Sequence, residues 1–147
     1  MLDTALRLVA HNSVLANQVK SKILFFQACE LAVDIFPGSN TYENMEKLNQ
    51  GIDLLKQAVL IDKFSPHLYL KLGDYYLYTN KFNNSVDNYT QYQQLLPNDA
   101  NSYNKPGLAY MAIKKYDLAV DAFTRCLRLK PGFSNVEENL RIAKTRK

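Results

Sequence analysis

Tryptophan is absent from this chain of 147 residues, cysteine and histidine occur twice each, and glycine and proline five times each. With His11 and His67 far apart, and Cys29 and Cys126 in no CxxC pair and near no histidine, no metal-ligand spacing exists and no metal or other cofactor is expected. Both cysteines fall in apolar helical stretches, FFQACELAV and AFTRCLRL, where a reduced, packed thiol is expected. There is no GxSxG, no glycine-rich phosphate loop and no HExxH, so catalysis is not expected and the chain reads as a non-enzyme. No apolar run approaches the roughly eighteen residues a membrane helix needs. The start, MLDTALRLVAHNS, lacks the basic and apolar segments of a secretory signal. Direct membrane insertion is therefore not expected, and the compartment stays open between the cytoplasm and, for a fragment, the periplasm.

What is present is a domain's length of chain with 47% hydrophobic residues, enough to bury a core. Basic residues number 18 against 14 acidic, and part of the excess is Arg141, Lys144, Arg146 and Lys147. Cations there suit the negative end of a terminal helix dipole; a docking patch for an acidic surface is the alternative.

The organising feature is a repeat. Displaced by 34 residues, Tyr69 falls on Tyr103, Lys71 on Lys105, Gly73 on Gly107, Tyr76 on Tyr110, Val86 on Val120, Thr90 on Thr124 and Pro97 on Pro131. Asp53, Leu55 and Ile61 continue the pattern backwards in weaker form. Leu68, Tyr69, Leu72, Tyr75 and Tyr76 recur at helical spacing, as do Val86, Tyr89 and Leu96 after the TNKFNN break. Each copy therefore reads as a helical hairpin closed by a proline.

The pattern Tyr69-x2-Leu72-Gly73-x2-Tyr76, Ser85-x3-Tyr89, Pro97, repeated as Tyr103-x2-Pro106-Gly107-x2-Tyr110, Ala119-x3-Phe123, Pro131, resembles the tetratricopeptide repeat (TPR). The resemblance implies an all-α fold, a right-handed α-solenoid of antiparallel helix hairpins with a C-terminal capping helix. The expected organisation is a single domain over 1–147: atypical helices in 1–40, a partial repeat at 41–65, repeats at 66–99 and 100–133, and the capping helix at 134–147. Helices are expected at about 2–11, 14–36 and 41–62 in the atypical part. Tyr92 stands where the family usually has a small residue, so its ring must be admitted by looser packing or turned outward.

Pro106 departs from the pattern. Its counterpart is Leu72, and a proline inside a helix costs about 3 kcal/mol. Either the helix starts early and kinks at Pro106, which the match of Tyr103 to Tyr69 favours, or it starts at an Asn104 cap with Pro106 in its first turn. A variant of an original leucine is the third possibility.

In the TPR family the concave face is lined mainly by the first helix of each hairpin. That implies a partner-binding surface of His67, Leu70, Lys71, Asp74, Leu77 and Tyr78, then Asn101, Asn104, Lys105, Leu108, Met111 and Ala112, with Asn135, Glu138 and Asn139 from the closing helix. The asparagines suit a peptide backbone, Lys71 and Lys105 a carboxylate, and the leucines, Met111 and Tyr78 apolar contact. Gripping the terminal carboxylate of chaperone tails, one use of this family, is not expected, because Leu70 and Asp74 stand where a cation and an amide are needed. Nucleic acid is not an expected partner, since Tyr69, Tyr76, Tyr89, Tyr103 and Tyr110 fall on repeat packing positions. The expected function is a protein-interaction scaffold binding a peptide or partner helix. The alternatives are a self-assembling module, a homo-oligomer joined near residues 1–40, and a soluble repeat tail of a larger membrane or envelope protein such as a glycosyltransferase or polymerase.

Overall fold

The computed structural model describes residues 13–147 except Pro37, Ser39 and Ser134. The expected helix at 2–11 lies outside these residues. Seven helices and no strand occur among the described residues: α1 (Ser13–Leu31), α2 (Tyr42–Ile61), α3 (Pro66–Tyr78), α4 (Phe82–Leu95), α5 (Asn101–Ala112), α6 (Tyr116–Leu129) and α7 (Val136–Arg146). Packing runs between consecutive helices, α1 on α2, α3 on α4 and α5 on α6 as hairpins, with α7 closing the stack against α6. This is an all-α helical-repeat solenoid, in which each unit buries its apolar face on its neighbours.

Segment 41–65 holds a single helix, α2, and its hairpin partner is α1. The end of α1 falls short of residue 36. Bonds from the Ala32 and Val33 N–H groups reach back three residues, to Cys29 and Glu30, so the last turn tightens and the chain leaves the helix before Phe36. Thr41 caps α2 by accepting from the Asn44 N–H at 3.2 Å.

Leu48, Ile52, Leu55 and Ala58 recur every three to four residues on α2 and meet Ala28 of α1 and Leu68, Leu72, Tyr75 and Tyr76 of α3 in one core cluster. A second cluster joins Ala100, Ala119, Phe123 and Cys126 to Val136 and Ala143 of α7. Between the two, α4 buries Ser85, Tyr89 and Tyr92. The Tyr92 ring is admitted, 3% exposed, with its hydroxyl donating to the Asp99 carboxylate.

The glycines shared by the copies mark close helix contact. A Cβ on Gly73 would lie 2.3 Å from the Tyr89 ring, and one on Gly107 would lie 2.5 Å from the Phe123 ring. The Ser85 hydroxyl ties the same contact by donating to the Gly73 carbonyl at 2.8 Å. α5 starts at Asn101 and continues through a buried Pro106, so the start at an Asn104 cap is overturned. Pro106 removes the N–H that would meet the Ser102 carbonyl, and the Ser102 hydroxyl is itself spent on the Leu96 carbonyl at 2.5 Å.

Candidate functional site

Helices α3 and α5 are the first members of successive hairpins, and they meet where Asp74 of α3 contacts Lys105 of α5, 31 residues further on. Helical spacing puts Asp74, Leu77 and Tyr78 on one face of α3, and Lys105 and Leu108 on the facing side of α5. These five, with Phe82 from the start of α4, line a cavity of 420 Å³. Gly38 and Asn40 of the α1–α2 connection and Asn80 complete it.

Its polar floor is a three-way contact. One carboxylate oxygen of Asp74 accepts from the Tyr89 hydroxyl at 2.6 Å and from the Lys105 ammonium at 2.8 Å. The Tyr89 phenol is raised far above its ordinary pKa, first by burial and then by the neighbouring Asp74 charge, and so stays a donor. Burial also raises the Tyr78 phenol, with Asp74 pushing it further up and Lys105 opposing. Lys105 is therefore not a free cation for a partner's carboxylate: Asp74 holds it. Nor does Asp74 act as an isolated negative charge.

The other candidate residues are more scattered. His67 is exposed and lines a separate cavity of 310 Å³ with Lys22, Phe25 and Phe26 of α1. The Lys71 ammonium lies 6.0 Å from the centre of the Tyr75 ring. Leu70 is half-buried and lines neither cavity. Leu108 and Met111 spend part of their apolar surface on the second core cluster. Asn101 opens α5, its N–H bonded to the Asp99 carboxylate at 3.2 Å, and the Asn104 side-chain oxygen is buried without a partner. Ala112 is exposed at the end of α5. On α7, Asn135 occupies the left-handed cap position at φ 62°, and its carbonyl accepts from the Asn139 N–H. Glu138 is engaged by Arg141 at 2.5 Å.

Sequence reasoning missed the contribution of α1. Lys22, Phe25 and Phe26 line the separate cavity beside His67, but α1 carries none of the repeat's signature residues. The usable signal was the small residue recurring every 34 positions at Gly51, Ser85 and Ala119: a Cβ on Gly51 would lie 2.7 Å from the Tyr75 ring and 3.5 Å from the Ala28 carbonyl of α1. Among the described residues no group of three or more His, Cys, Asp or Glu side chains is placed to hold a metal. None of their helices is long and apolar enough to cross a membrane.

Comparison with known proteins bears on the same hairpin. The family model of the tetratricopeptide repeat matches over 100–133, the α5–α6 unit. The α5–α6 hairpin is similar to a tetratricopeptide repeat. No curated protein matches the sequence. Among solved structures, the first TPR of Spaghetti (RPAP3) bound to the HSP90 peptide SRMEEVD is similar with a TM-score of 0.72 at 20% identity, covering 86% of this chain and 91% of that one. The Arabidopsis OM64 TPR domain gives 0.75 at 14% identity over 89% and 99%. A crystal structure of the MamA protein gives 0.73 at 22% over 90% and 70%. At these identities the likeness shows a shared fold, that of TPR domains.

Proposed function

We propose that this chain is a protein-interaction module that holds a peptide or partner helix in the groove between α3 and α5. The observation that carries the reading is the cavity between α3 and α5, where apolar walls from Leu77, Phe82 and Leu108 surround a few convergent polar groups. TPR neighbours solved with bound peptides support it by analogy of fold. Affinity capture from native lysate tests it, comparing the wild type with Leu77→Ser. Leu77 lines the cavity and belongs to neither core cluster, so the variant is expected to fold. A partner retained by the wild type and lost by the variant supports the groove; equal recovery by both moves the interface elsewhere.

Self-association through the first hairpin is a second reading, favoured by a separate observation. Phe26 of α1, Val33 in the turn after it, Leu60 of α2 and Phe64 just beyond that helix are 63%, 76%, 88% and 71% exposed, a concentration of apolar surface that the later hairpins do not match. Light scattering over a concentration series checks it, and a monomer throughout overturns it. The readings of a repeat tail on a larger membrane or envelope protein, and of an adaptor without catalysis, are decided by the full reading frame.

A further inference from the structure

The cavity between α3 and α5 is electrically balanced. Among the described residues, Asp74 and Lys105 are the only charged ones lining it, and they are bonded to each other. An entering carboxylate would face Asp74 with Lys105 already engaged, and an entering ammonium would face Lys105. Either charge is brought against a like charge in a site where the Asp74 and Lys105 side chains are only 14% and 26% exposed. An uncharged side chain meets no such opposition. Leu77, Phe82 and Leu108 cover its apolar part. Lys105 keeps two N–H donors, and the second Asp74 oxygen and the Tyr78 hydroxyl keep hydrogen-bonding capacity.

We propose that this cavity takes an uncharged, hydrogen-bonding side chain, an amide or a hydroxyl, from an internal stretch of the bound peptide. The inference rests on the groove reading above and specifies which residue the groove selects. A side-chain amide fits the floor best, because it offers an acceptor to Lys105 and a donor to Asp74 together. Specificity then comes from rejection as much as attraction, since a carboxylate isostere of the same shape brings like charge against Asp74.

The test uses the full chain and two random peptide libraries displayed on phage, one anchored at the peptide C-terminus and one presenting a free C-terminal carboxylate. The expected result is enrichment from the first library of sequences sharing a Gln, Asn, Tyr or Thr position. A synthetic binder carrying Gln there should bind about tenfold more tightly than its Gln→Glu form by fluorescence polarisation. Asp74→Asn leaves an acceptor for Tyr89 but makes the floor positive, and it should erase or invert that preference. Binders drawn only from the free-carboxylate library, a Gln→Glu change without effect, or a preference that Asp74→Asn leaves unaltered would each overturn the inference while the groove reading stands. No binder from either library removes the groove reading and the inference with it.

Discussion

Gly73 and Gly107 each give up helix propensity, about 1 kcal/mol against alanine, so that an aromatic ring can lie against the backbone. Gly73→Ala restores that propensity but drives a methyl into the Tyr89 ring, and overpacking costs about 1–3 kcal/mol. The net expectation is a lower melting temperature, measured by circular dichroism. Pro106→Leu should do the opposite, because the residue lies inside a continuous helix at the position equivalent to buried Leu72 and forfeits a backbone bond. An unchanged or lower melting temperature would show the proline to be accommodated. Tyr89 couples packing to pH. Its phenol, like those of Tyr75 and Tyr92, is held protonated well above the ordinary value of 10.0, chiefly by burial. Above about pH 10 the unfolded chain releases protons that the folded chain keeps, so stability falls as pH rises. Tyr89→Phe should cost about 1 kcal/mol at neutral pH through the lost bond to Asp74, yet flatten the alkaline fall, read as urea midpoints from pH 8 to 11.

At the scale of elements, the turns inside the hairpins explain a residue that looks out of place. Asn80 and Lys114, equivalent in the repeat, both adopt left-handed backbone, at φ 58° and 60°. In each case the next N–H, of Lys81 or Lys115, reaches back five residues, to the Tyr76 or Tyr110 carbonyl, and closes the helix end. Asparagine takes that conformation at less cost than lysine does. Lys114→Gly is therefore expected to stabilise the protein by about 0.5–1 kcal/mol, checked by thermal melting. The groove belongs to the same scale. Its α3 and α5 walls could be named from the repeat, since equivalent helices present equivalent faces. The α1 lining of the neighbouring cavity could not, because α1 carries no signature residue to set its register.

Across the whole molecule, each helix packs on its sequence neighbours, so the ends are where stability is exposed. Helix α7 covers the open end of the second core cluster with Val136 and Ala143, both fully buried, while its outer face carries Glu137, Glu138, Arg141 and Lys144. Ending the chain at residue 133 should uncover Phe123 and Cys126, lower the melting temperature and increase binding of a hydrophobic dye. A truncated chain that melts and stains like the intact one would show α7 to be dispensable.

The sequence by itself determined the repeat, the hairpin order and the packing glycines, because periodicity and close contact leave residue-level marks that survive without coordinates. It also singled out five residues that line the α3–α5 cavity. Only the tertiary structure decided that Asp74 and Lys105 cancel each other, that Tyr92 is taken into the core and that α1 pairs with α2. Those outcomes depend on which side chains meet across helices, and a helical period states which face a residue occupies but not what stands opposite it.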